Sequence, residues 1–297
     1  MTDMKTAYRL AAAAVRRRYA EQRPETLAQL DALTSRNVAV YTGVHDQVQE
    51  VLRVLNVPHT MDPEKLDQPV VFVNCTGAVS HTDALESHAR AGGLVVSSDW
   101  ALRTIQAAFP GKIRKGALST KDEVVGVEAT SESLWSEVVV LGTDPQWWLE
   151  GGSDSIVIDA DDVSIEAASH EMLDRYQAPV VAVSFPWGAG HVFHVVSHFW
   201  LKRTRTAAGR HAGPAADFMR AGLRLSEEGI AEVFEKTKID PKVVSFASLQ
   251  SAATATELVA RLCAEGLGAQ RPMPFFPASS EAGKGNPFLA ALKRAFT

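Results

Sequence analysis

Three short segments carry the side chains best suited to chemistry. Asn74-Cys75-Thr76-Gly77 follows an apolar run and precedes a helical one. A small polar quartet opening a helix exposes backbone N–H groups that can hold an anion or a carbonyl. The plainer reading is a polar turn with Gly77 for tightness, and Cys75 is a nucleophile only with a base in hydrogen-bond reach. Ser97-Ser98-Asp99-Trp100 lies between an apolar run and another helix. A sharp turn there projects a side chain out of the sheet, as in a nucleophile elbow. Its flanks Ser97 and Ala101 are not glycines, and Asp99 equally suits a helix N-cap. The third segment runs from His191 through His194 to His198. Helical spacing would gather all three histidines into a metal site. The β-branched content after Gly188-Ala189-Gly190 favours a strand, in which His194 and His198 share a face and His191 points away. A metal held by His194 and His198 then needs a further ligand, with Asp99 the candidate. His194 reads otherwise as a hydrogen-bonded core histidine, and His198, last in the strand, as the functional one.

The elements around these segments alternate. Residues 4–35 read as helix, interrupted at Arg23-Pro24, where Pro24 suits a first helical turn. Asn37–Tyr41, Pro69–Val73 and Leu94–Ser97 are short apolar runs of the kind buried on both sheet faces. Helical spacing follows each of them, over 46–55, 81–91 and 100–108, with Gly92-Gly93 as a stop signal. That alternation predicts a doubly wound, flavodoxin-like α/β fold, a mostly parallel sheet with helices on both faces. Further on, 123–130, 137–141 and 155–159 read as strands, and 144–152 as a loop bearing Trp147 and Trp148. Residues 179–185 and 191–196 read as a hairpin across Pro186–Gly190. Helices are expected over 218–236 and 249–264. The resulting division is an N-terminal helical extension (1–35), an α/β domain (36–201), a C-terminal helical extension (202–265) and a flexible tail (266–297). No internal repeat is visible.

Composition removes several classes. The chain has 297 residues, 46% hydrophobic and 22% charged, so it can bury a substantial core and is neither disordered nor fibrous. A net charge of -5 gives no support to nucleic-acid binding. The apolar stretch Leu10–Val15 is far shorter than the roughly 20 residues of a membrane span. It is flanked by charge on both sides, so it reads as an amphipathic helix and not as a signal peptide. Two cysteines, Cys75 and Cys263, make no disulfide framework and suit a reducing cytoplasm.

The order strand, Asn74–Gly77, helix, Gly92-Gly93, strand, Ser98-Asp99, helix, and later Gly188 through His198 resembles the class I glutamine amidotransferase-like superfamily. Its trehalose-utilisation (ThuA-like) branch is the most similar, over residues 37–201. The resemblance implies an elbow nucleophile after the strand Leu94–Ser97, where this chain has Ser98-Asp99 and no cysteine. The family histidine matches His198, but Phe199-Trp200 replaces the acidic residue beyond it. Cys75 belongs to a different strand end. Glutamine hydrolysis through a thioester is therefore not expected.

Besides a metal-dependent enzyme using His194, His198 and Asp99, two functional expectations follow. In one, the chain is a non-amidotransferase module binding a small polar or sugar-like ligand at Asn74, Cys75, Thr76, Gly77, Trp100 and Trp148, or assembling with a protein partner or a second copy through its terminal helices. In the other it is a hydrolase of an ester, amide or sugar, with Ser98 or Asp99 acting with His198. No cofactor is implied. The tryptophans fit core packing as well as sugar stacking.

Overall fold

The computed structural model describes residues 4–76, 78–129, 146–202 and 212–267, apart from the side chains of residues 265 and 267. Gly77, the expected strand at 137–141 and the tail beyond 267 lie outside these residues.

The strands β1 (Val38–Tyr41), β3 (Val70–Val73) and β4 (Leu94–Ser98) are buried along their whole length, because their apolar runs carry no polar face. They pair in parallel, with Val73 opposite both Tyr41 and Ser97. The short β2 (Thr60–Met61) adds outside β1, and β12 (Gly190–Val195) adds in parallel outside β4. Beyond β12 the sheet turns antiparallel through β11 (Val180–Trp187), β10 (Ser164–Ala168) and β7 (Glu128–Ala129). Two further strands, β5 (Ile113–Ser119) and β9 (Asp154–Ile158), extend it off β11. A separate pair joins β6 (Glu123–Gly126) to β8 (Gln146–Leu149). The result is a doubly wound α/β fold with a mixed sheet, parallel in its first half.

Helices α3 (Val48–Val54) and α4 (Thr82–Arg90) make the parallel crossovers β1–β2 and β3–β4, and α5 (Leu102–Ala108) leads from β4 to β5. A helix at His170–Tyr176, α6, has Ser169 as a side-chain N-cap, a start signal that its few apolar residues obscure in sequence. Helices α7 (Ala215–Ala221), α8 (Glu227–Thr237) and α9 (Phe246–Leu267) follow.

The terminal helices are not free surfaces. In α1 (Met4–Gln22), Ala7, Leu10, Ala11, Ala14 and Val15 are buried, and α9 packs against them with nearly every described residue inaccessible. Tyr8 of α1 stacks on Trp200 with ring centroids 4.2 Å apart, and its hydroxyl donates to the carbonyl of Phe199 and accepts from the N–H of Leu201. No described helix is long and apolar enough to cross a membrane.

Candidate functional site

Chain winding leaves β1 toward β2 on one side and toward β3 on the other. Such a switch point opens a crevice at the carboxyl ends of the strands, where α/β proteins bind ligands. Residues 42–46, 74–76, 98–100 and 196–200 meet here. Gly43 permits the approach: a Cβ on it would lie 2.4 Å from the carbonyl oxygen of Cys75 and 2.6 Å from Cβ of Asn74. That carbonyl accepts from the N–H groups of Val44 and His45.

The elbow after β4 is Asp99, whose φ of +48° is uncommon for a residue other than glycine. Asp99 does not cap a helix. Its Oδ1 accepts from the N–H of Asp154 at 3.1 Å, while Oδ2 lies 3.0 Å from Nε2 of His198 and 3.5 Å from Sγ of Cys75. Cys75 therefore does reach the elbow from its different strand end, because β3 and β4 are parallel neighbours whose ends lie side by side.

His198 is not the last residue of a strand. β12 stops at Val195, and Ser197 at φ +71° turns the chain, so the two-residue alternation does not carry from His194 to His198. Nδ1 of His194 lies 2.8 Å from Oγ of Ser97. Burial pushes its imidazole down to about 3, against the pull of Asp99, so it is a neutral core histidine. His194 and His198 are thus not brought together as a ligand pair. His191, half-buried, stands at the start of β12.

The other face of His198 holds a residue that sequence reading missed: Oε2 of Glu150 lies 2.7 Å from Nδ1. Glu150 follows β8, a strand where a loop was expected, with Trp148 opposite Val124 of β6. Three bonds fix it beside His198. Its N–H donates to Oγ of Ser197, its carbonyl accepts from Oγ1 of Thr120, and Nε1 of Trp147 donates to the carbonyl of Val196. The available signal was an acid directly after a buried Trp-Trp-Leu triplet.

Asp46 was also missed. Fully buried, its carboxylate accepts from Oγ of Ser98 at 2.6 Å, from the N–H groups of Phe199 and Trp200 at 3.0 Å each, and from the N–H of Gln47 at 2.7 Å. It ties the segment after His198 to the elbow, and it engages Ser98 away from His198.

The remaining expected residues divide. Asn74 is structural: buried, it accepts from the N–H of Val48 and donates to Gln49. Oγ1 of Thr76 accepts from the N–H of Ala78. Trp100 donates through Nε1 to the carbonyl of Gly152 and meets His45 edge-on at 4.9 Å. Trp148 is buried and lines, with Trp147, His198, Leu201, Ser251 and Ala255, a crevice of about 160 Å³. That is below the roughly 300–1,000 Å³ of small-molecule pockets. Ser251 and Ala255 come from α9, so the C-terminal helix helps roof the site.

The electrostatics follow from this geometry. Burial alone would push the His198 imidazole down, but its contacts with Asp99, Cys75 and Glu150 and the charge of Asp46 raise it well above the ordinary 6.5. Burial would raise Asp99; His198 and its donors hold it below the ordinary carboxylate value instead. Burial raises the Cys75 thiol, which His198 only partly offsets. The cluster is thus a thiol, an imidazolium and two carboxylates sharing that one cation. Sγ of Cys75, a carboxylate oxygen of Asp99 and a ring nitrogen of His198 lie within 4.8 Å of one another, the one such buried group of potential metal ligands among the described residues.

No family model matches the chain, and no curated protein matches its sequence. Among solved structures it is similar to a glutamine amidotransferase from Thermotoga maritima, at 10% identity and a TM-score of 0.46, over 77% of this chain and 96% of that one. It is similar also to a putative GMP synthase subunit from Thermoplasma acidophilum, at 14% identity and a TM-score of 0.39, over 68% of this chain and 98% of that one. A β-galactosidase from Rahnella sp. R3 matches at 12% identity and a TM-score of 0.37, over 54% of this chain and 28% of that one. At such identities none of them carries an activity, a substrate or a partner over to this chain.

Proposed function

We propose that the chain is a non-amidotransferase, amidotransferase-like module that binds a small ligand at the Cys75–Asp99–His198 cluster. The observation that carries this reading is the ion pair at the elbow. Asp99 holds the strained position and is engaged with His198, beside a crevice of about 160 Å³ lined by Trp147, Trp148 and residues of α9. Cys75 does not replace an elbow thiol. It is inaccessible, and burial beside a carboxylate keeps it protonated, whereas a nucleophilic cysteine needs a thiolate-stabilising, reachable setting. Asp99 and Glu150 flank both ring nitrogens of His198 and favour its protonated form, which weakens it as a general base.

The second reading, hydrolysis, is favoured by one observation: Asp99, His198 and Glu150 stand in line as elbow carboxylate, imidazole and orienting acid. It runs through Asp99 alone, because Ser98 donates to Asp46 and not to an imidazole. One assay separates the readings. Glutamine, ester and glycoside panels are expected to show background turnover with the wild type and with His198→Ala alike. Turnover that His198→Ala abolishes would overturn the binding reading in favour of hydrolysis.

A further inference from the structure

The crevice is smaller than the usual small-molecule pocket, and the three groups beside it are of a kind that bind metals. We infer that Cys75, Asp99 and His198 form a binding site for one zinc-class divalent cation, with Glu150 orienting His198 from outside the coordination sphere. This names the ligand of the site in the binding reading above and rests on that reading.

Four features of the structure point this way. First, the donors are one thiol sulfur, one imidazole nitrogen and one carboxylate oxygen, a mixture suited to zinc rather than to the hard cations magnesium and calcium. Second, their spacing is near that of a tetrahedral shell. With Zn–S about 2.3 Å and Zn–N and Zn–O about 2.0 Å, the S···O edge is about 3.5 Å and the N···O edge about 3.3 Å. The corresponding separations are 3.5 Å for Cys75 Sγ to Asp99 Oδ2 and 3.0 Å for His198 Nε2 to Asp99 Oδ2. Accommodating a cation thus asks the His198 and Asp99 side chains to part by a few tenths of an ångström.

Third, Nε2 of His198 is buried and makes no hydrogen bond of acceptable geometry, although Asp99 Oδ2 is close enough for an ion pair. A buried ring nitrogen without an aligned partner is costly, and once deprotonated it presents its lone pair to a cation at that place. Fourth, Nδ1 is held by Glu150 at 2.7 Å. A carboxylate on the far ring nitrogen is the usual support of a metal-bound histidine, fixing its tautomer and orientation. On binding, the Cys75 thiol and Nε2 of His198 each lose a proton to solvent, and sulfur, nitrogen and Asp99 oxygen donate to the metal. Three protein donors leave the fourth tetrahedral position to water or another small donor.

The test is metal retention by the full chain. After saturation with zinc and exhaustive dialysis, wild type is expected to keep one zinc per chain and to melt at higher temperature than the metal-stripped protein. Cys75→Ser and His198→Gln are expected to weaken zinc binding at least 100-fold, and Glu150→Gln 10- to 100-fold. Cys263→Ser, whose thiol is buried in α9 outside the cluster, should bind as wild type does. Cobalt loading of unmutated protein adds a readout independent of how the variants fold: a thiolate-to-cobalt charge-transfer band in the near ultraviolet. Zinc lost on dialysis, zinc binding unchanged in both Cys75→Ser and His198→Gln, or cobalt bound without that band would each overturn the inference. None of these outcomes touches the turnover assay, so failure of the metal site and failure of the non-catalytic reading are read separately.

Discussion

Glu150 and His198 meet at 2.7 Å although they come from different sheets, one following β8 of the separate β6–β8 pair and the other following β12 of the main sheet. The contact supplies the acidic partner that the residues directly after His198 lack. It is held by the hydrogen bonds from the Trp147 indole to the Val196 carbonyl and from the Glu150 N–H to Oγ of Ser197, so it is part of the fold and not an accident of two long side chains.

Replacing Glu150 with Gln keeps the shape and removes the charge. Because the Glu150 side chain is about a quarter exposed, at 24%, solvent screening limits the stability loss to about 1 kcal/mol. The urea midpoint should fall slightly with an unchanged denaturant slope. A fall several times larger would mean that the pair holds up the fold itself.

Asp46 is a harsher case. Its two oxygens accept four hydrogen bonds in a site with no water access, and an Asn there turns one acceptor into a donor facing donors. Asp46→Asn should cost about 3 kcal/mol or more. Chemical denaturation measures this directly, and a loss under about 1 kcal/mol would show that the anchor is dispensable.

At Gly43 the constraint is space. The Cβ of an alanine would sit 2.4 Å from the Cys75 carbonyl oxygen, a backbone atom that cannot swing aside. Gly43→Ala should destabilise by about 1–3 kcal/mol and displace residues 74–75. It should therefore also weaken metal retention. An unchanged melting temperature with unchanged retention would show that the two loops are not in close register.

The α1–α9 interface makes the protein pH-sensitive. Arg18 grips both oxygens of Glu257 at 2.6 and 2.5 Å in a fully buried setting. Burial pushes the Glu257 carboxyl up to about 7, against the opposing pull of Arg18, Arg23 and Arg261. A folded-state value raised above the ordinary 4.5 contributes stability that is complete below 4.5 and lost as pH rises through about 7. Urea midpoints from pH 4.5 to 8 should therefore fall for wild type relative to Glu257→Gln. Parallel curves for the two proteins would refute the assignment.

The first half of the sheet was legible because β1, β3 and β4 are buried on both faces, and an apolar run flanked by helical spacing has few other solutions. β5 and β10 were not. β5 is mostly exposed, with lysine and arginine along it, and β10 buries Glu166 against Ser184 across an irregular register. Neither shows the apolar pattern from which strands are read. β8 was obscured because its tryptophans also suit a loop.

Within the site, the amino-acid sequence by itself marked Cys75, Asp99 and His198 as chemistry-bearing groups at the ends of buried strands. Local rules suffice for that: strand runs, turn residues and residue type. Only the tertiary structure decided that the three belong together, because the order of strands in a sheet is not written in any local segment. Adjacency of β3 to β4 and of β4 to β12 brings Cys75 and His198 to Asp99, while the turn at Ser197 takes His198 away from His194. Glu150 and Asp46 enter through contacts distant in the chain, and their roles arise from the partners that the fold brings to each carboxylate.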